Sequence, residues 1–185
     1  MSRGAAEPPH LYGVIPYEFA SEIANIVSHF AQLEYNIDTV IWELAGLSDM
    51  PNGIDIGACL TAQIPAVVPR IEALIALARV QGVPEDRVRK LNKFKEHARS
   101  VGERRHRVAH DPWFATWKKD WPECDVYRLQ RTAKAKLEHG YKQVAIDELK
   151  ALTADIQATI EEFNDLGSEI LRAFWTLPET PPATP

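Results

Sequence analysis

The residues best able to do chemistry lie in one stretch, Glu103-Arg104-Arg105-His106-Arg107-Val108-Ala109-His110-Asp111-Pro112-Trp113. It holds three arginines, two of the six histidines and an Asp-Pro pair that stops a helix. A guanidinium presents a planar fork of N–H donors to phosphate oxygens, and an imidazole takes up or releases a proton near neutral pH. Val108 and Ala109 set two small aliphatic side chains among the charges, as in a packed element and unlike a loose basic tail. Arg104, Arg105, His106, Arg107 and His110 cannot all face water while Val108 and Ala109 are buried. At least one of these charges is therefore expected in a cleft or interface, with a partner.

Two chemistries compete for this stretch. Glu103, His106 and His110 share a helix face at spacings of three and four, and Glu-x-x-His is half of a di-iron site in a four-helix bundle. The matching half, Glu7-Pro8-Pro9-His10, falls in a proline-rich arm, and three neighbouring arginines repel a dication. Neither a metal nor another cofactor is expected. Phosphate chemistry suits the residue types better. RNA carries its own nucleophile, the 2′-hydroxyl, so its cleavage needs a general base, a general acid and stabilisation of charge at phosphorus. Arginine and histidine supply all three.

The elements that position this stretch are helical. Phe19, Ile23, Ile26, Phe30, Leu33, Ile37, Val40 and Leu44 alternate at spacings of four and three, the stripe of a long helix packed at a shallow angle on a similar partner. It serves either as an internal bundle helix or, in part, as a homodimer interface. Gly46, Pro51-Asn52-Gly53 and Gly57 punctuate a loop at 46–56. A second helix from Ala58 to Val80 carries Leu60, Ile64, Val67, Ile71, Leu74 and Ala78, and Pro65 and Pro69 must kink or split it. Gly82 stops it and Pro84 opens a third helix that runs to His110 with Val88, Leu91, Phe94, Ala98, Val101 and Val108 inward. Between Arg87 and Arg107 this helix has nine Lys or Arg against Glu96 and Glu103, a solvated face if acidic residues balance it. Trp113, Phe114, Trp117, Trp121 and Tyr127 cluster next, and 126–132 alternates at period two, which predicts a β-hairpin of 113–117 with 126–132. Trp113 and Trp117 fit that hairpin's core better than a base-stacking role. A last helix from about Ala145 to Trp175 follows, with Leu149, Leu152, Ile156, Ile160, Phe163, Leu166, Ile170 and Phe174 at helical spacing.

The expected architecture is mainly α, an up-and-down bundle of four main helices, the second proline-kinked, with a small β-hairpin insertion before the last. Residues 1–16 read as an N-terminal arm, 17–177 as a single helical-bundle domain with its insertion at about 113–143, and 178–185 as a disordered tail. The chain has 185 residues, 45% hydrophobic and 25% charged, with a net charge of −5, so affinity for nucleic acid must be local. Cys59 and Cys124 make no metal motif or disulfide framework, Met1 to Pro9 lacks the apolar segment of a signal peptide, and no run has the length of a membrane span. A cytoplasmic protein without a membrane partner is expected.

Arg105-His106-Arg107-Val108-Ala109-His110 resembles the Arg-x(4–6)-His motif of HEPN domains, bacterial-type members in particular. His106 is the polar residue that this family favours after the arginine, and the motif stands at the end of the third helix of a small bundle. The resemblance implies a metal-independent endoribonuclease, usually a homodimer with both motifs facing one cleft. Attack by the 2′-hydroxyl would leave a 2′,3′-cyclic phosphate. It further implies a toxin or phage-defence role and an antitoxin protein as partner. On this sequence Arg105 would steady the phosphate and His110 transfer the proton, with His106 in support. Arg104, Arg107, Lys118 and Lys119 would hold the RNA backbone. Arg104 also fits the motif, so either arginine can act. Some toxins of the family carry a tyrosine two residues after the histidine; Pro112 stands there, so regulation through that tyrosine is not carried over. A regular helix sets Arg105 and His110 about 140° apart at ~100° per residue. They converge if the last turn unwinds at Asp111-Pro112, or if Arg105 reaches round the helix. The competing expectation is a non-catalytic dimerisation or binding module for a nucleotide or protein partner, in which Arg105 and His110 only tie the helix end to the hairpin or to acidic groups.

Overall fold

The computed structural model describes residues 13–117, 124–134 and 136–176, with the backbone alone at 117, 130–134 and 136–139. Residues 1–12 of the expected arm, Lys118, Lys119, Trp121 and the tail at 178–185 lie outside them. The fold is mainly α, with a β insertion before the last helix. Its elements are α1 (Tyr17–Leu44), α2 (Gly53–Thr61), α3 (Val67–Val80), α4 (Glu85–His110), β1 (Trp113–Trp117), β2 (Cys124–Lys134), β3 (Lys136–Gln143) and α5 (Ile146–Trp175). Among the described residues, no helix is long and apolar enough to cross a membrane.

The chain divides into two compact units. One takes the residues up to Ser28 and Arg104–Ala154, and the other takes His29–Glu103 and the residues from Asp155 on. Among the described residues, the regular elements of the second unit are all helices. Its core is made by Phe30, Leu33, Ile37, Val40 and Leu44 of α1, Ile71, Leu74 and Ala78 of α3, Val88, Leu91, Phe94 and Ala98 of α4, and Ile156, Phe163 and Ile170 of α5, all buried. Each Val, Leu, Ile or Phe among them contributes roughly 1.5–3 kcal/mol by leaving water. The α1 stripe from Phe30 to Leu44 is thus buried within this unit.

In this unit the segment expected to kink or split is split, and the expected loop bounds are corrected. The proline-bearing segment is two helices: α2 ends at Thr61 and α3 begins at Val67, on either side of Pro65. The apolar spacing that joined them was coincidental, since Leu60 is 61% exposed whereas Val67 and Ile71 are buried. The loop expected at 46–56 ends at Gly53, where α2 starts, and Gly57 lies within that helix. Gly57 is there for close packing, because a Cβ at that position would come within 2.7 Å of the Trp42 ring. Gly82 takes φ 74, and α3 ends in paired turns in which Gly82 N–H donates to Arg79 O and Val83 N–H to Ala78 O, at 3.1 and 2.9 Å.

The first unit holds the sheet. β1, β2 and β3 form an antiparallel meander in that order, with Trp113 opposite Arg128 and Trp117 opposite Cys124. The hairpin expectation covered β1 and β2 and missed β3, whose Lys136–Gln143 sequence contains few apolar residues to alternate. Ala115, Val126, Val144, Leu149, Leu152, Phe19 and Ile26 are buried here. Glu148 closes the start of α5: it accepts from Ala145 N–H at 3.4 Å and from Lys142 Nζ at 2.6 Å. The Lys142 hydrogen bond is the main reason its carboxyl is held below the usual glutamate range.

Two outcomes follow for stability. Gly57→Ala, which would gain about 0.5–1 kcal/mol in an open helix, should instead lose about 1–3 kcal/mol in chemical denaturation because of Trp42. Glu148 has a depressed folded-state pKa, so its contribution is present above the unfolded value and vanishes as pH falls through the folded one. The stability gap between wild type and Glu148→Gln should therefore close on acidification, and a gap that widens toward acid would contradict the assignment.

Candidate functional site

The site is built by the way α4 ends. Pro112 has no N–H, so the carbonyl of Val108 loses the partner that a continuing helix would give it. The Trp113 indole takes over, donating from Nε1 to Val108 O at 2.9 Å. Asp111 N–H still donates to Arg107 O at 3.0 Å, and Pro112 O accepts from Leu129 N–H of β2 at 2.9 Å. The last turn is thus closed by groups from the first residue of β1 and from β2. Val108 is buried at 3% exposure, which anchors the turn from within.

A charged pair reinforces this end. Arg128 of β2 stands opposite Trp113 in the sheet, and its Nε lies 3.4 Å from an Asp111 carboxylate oxygen. Its guanidinium carbon sits 6.0 Å from the centre of the Trp113 ring, at the outer limit of a cation–π contact. Burial pushes the Arg128 proton affinity down, Asp111 pulls it back up, and Arg107 lowers it again. Arg128 did not emerge from the sequence. Only the alternation of 126–132 hinted at it, and that does not fix which strand residue meets the helix end.

The residues expected at the site divide into two groups. His106 and His110 stand side by side on the exposed face, ring centres 4.6 Å apart and planes tilted by 49°. Arg107, three residues before His110, is exposed, as is Arg104. Arg105 is half-buried, and α4 stays helical through His110 without unwinding. Regular geometry therefore keeps Arg105 and His110 about 140° apart around the axis, and only the reach of the arginine can bring them together. Among the described residues no group of three or more His, Cys, Asp or Glu is placed to hold a metal ion.

The earlier part of the basic run has acidic partners. Lys90 and Arg87 meet Glu169 at 2.6 and 3.4 Å, His97 meets Glu162 at 2.8 Å, Lys95 meets Glu72 at 3.3 Å, and Arg99 pairs with Glu96. Such exposed pairs add little stability, about 0–1 kcal/mol each, but they make that face a balanced, solvated one. The local positive charge that remains of interest lies at the end of α4.

The closure at Val108 can be tested directly. Trp113→Phe keeps a six-membered aromatic ring but removes the donor together with the pyrrole ring, and should cost at least about 1–3 kcal/mol, because a buried carbonyl loses its bond and the smaller ring leaves space. Adding Pro112→Ala restores an amide N–H at the position a helix would use, and should recover part of that loss. Strict additivity of the two changes in a denaturation cycle would show that the indole does not replace the missing amide.

No family model matches the sequence, and comparison with curated proteins and with solved structures finds no match either.

Proposed function

We propose that this protein is a metal-independent RNA endonuclease of HEPN type, with its chemistry on the exposed face at the end of α4. The observation that carries the reading is the His106–His110 pair, two exposed imidazoles with ring centres 4.6 Å apart, with exposed Arg107 one turn before His110. In the proposed reaction one imidazole, neutral, takes the proton of a ribose 2′-hydroxyl as its oxygen bonds to phosphorus. The other, protonated, gives its proton to the 5′-oxygen as the P–O5′ bond breaks. The products are a 2′,3′-cyclic phosphate and a 5′-hydroxyl. An arginine then stabilises charge on the non-bridging oxygens. Arg107 is better placed for this than Arg105, since it shares the face of the histidines.

This shifts weight within the motif. The arginine and histidine that define the HEPN resemblance, Arg105 and His110, are set apart by the intact helix, while His106 moves from a supporting role to an equal one. The same helix continuity favours a second reading, a binding module that engages a nucleotide or protein through this face without cleaving. A homodimer and an antitoxin partner belong to the proposal only through the resemblance.

Cleavage of a mixed RNA pool in excess EDTA separates the two. Wild-type protein should cut and leave 2′,3′-cyclic phosphate ends, with His110→Ala and His106→Ala each slower by about 10²–10⁴-fold. Folded protein that binds the pool and leaves it intact would favour the binding module.

A further inference from the structure

We propose that Arg107 and Arg128 together form a binding cleft for a single phosphate group at the end of α4, beside His110. The assignment of that phosphate to RNA rests on the proposed nuclease reading; the cleft itself rests on the following geometry. The Arg128 side chain is only 11% exposed, and its one ion pair among the described residues is the 3.4 Å approach of Nε to Asp111. That Nε is buried and makes no hydrogen bond. A charge buried so deeply ordinarily has hydrogen-bonded compensation, and one long contact to one carboxylate supplies little of it. Arg107 lies one helical turn before Asp111, whose N–H donates to its carbonyl, so its exposed side chain leaves α4 on the side of the carboxylate that Arg128 meets. Among the described residues it makes no ion pair, and its charge disfavours that of Arg128. Two guanidiniums at one helix end, with one carboxylate in contact with Arg128, leave an excess of positive charge and of N–H donors. A phosphate, with oxygens for both forks, is the ligand that matches this arrangement.

Two features oppose an anion here. The carbonyl end of a helix carries negative partial charge. That effect is blunted, because the Arg107 and Val108 carbonyls already accept from Asp111 N–H and from the Trp113 indole. Asp111 itself competes for Arg128, and Glu148 adds a more distant attraction while Lys142 holds it. Phosphate must therefore displace or share Asp111, which gives the proposal a distinctive consequence: removing the Asp111 charge should strengthen binding.

The test follows the arginine Nε–H signals by NMR in the full chain, at matched ionic strength in chloride. Inorganic phosphate and a 2′-O-methyl oligoribonucleotide, which cannot be cleaved through its 2′ position, are titrated separately. Loss of signals in Arg107→Lys and Arg128→Lys assigns them. The Arg107 and Arg128 signals should move together and saturate, with affinity about tenfold weaker in Arg128→Lys and about threefold or more tighter in Asp111→Asn. Near-UV circular dichroism of the tryptophans verifies that each variant is folded. Saturation by the oligonucleotide assigns the cleft to RNA, and saturation by inorganic phosphate alone assigns it to free phosphate. An Arg128 signal that stays still in wild-type protein, or weaker binding in folded Asp111→Asn, overturns the cleft. Phosphate binding without RNA cleavage keeps the cleft and removes the nuclease reading. Cleavage that requires His110 while Arg128 stays still does the reverse.

Discussion

The missing amide of Pro112 is the constraint on which the candidate site depends. A proline two residues after His110 ends α4, yet it also strips a buried carbonyl of its partner, and an orphaned acceptor inside a protein costs free energy comparable to a hydrogen bond. The sequence meets that need one residue later with a tryptophan, whose indole N–H reaches Val108 O while its ring fills space beside Arg128. Pro112 then uses its own carbonyl to receive Leu129 N–H, so the helix end is stitched to β2 by backbone as well as side chain. A helix end that would otherwise fray is held in helical geometry through His110.

That rigidity has chemical consequences. A frayed turn could let Arg105 and His110 swing together, and the intact one keeps them on different sides of the axis. What the helix does bring together is the pair four residues apart, His106 and His110, with Arg107 next to them. Pre-set imidazoles on a rigid element need little reorganisation to exchange protons with a substrate. The closure also explains why Arg128 is where it is. The strand register that sets Trp113 opposite Arg128 delivers a guanidinium to Asp111, the residue directly after His110.

How much of this was legible in the sequence depended on the range of the information required. The stripes of α1 and α5 were legible because their period is local and strong, and their residues are buried almost throughout; Leu60 misled because spacing alone cannot tell a continued stripe from a new helix after a proline. Gly57 read as punctuation, since nothing local reveals that the Trp42 ring occupies the space a Cβ would need. β3 was missed because Lys136–Gln143 is largely polar. At the site, the closeness of His106 and His110 followed from their spacing. Arg128 did not, because its role arises from strand pairing across the sheet, and the role of Trp113 was visible only as burial and not as a hydrogen bond.

The most direct measurement of the central claim is an NMR titration of the His106 and His110 imidazole signals with a 2′-O-methyl oligoribonucleotide. If the two imidazoles form the acid–base pair at a bound phosphodiester, both signals shift together, saturate at one stoichiometry, and change their titration with pH when the RNA is bound. If the oligonucleotide binds while both signals stay where they were, the chemistry does not reside at the end of α4.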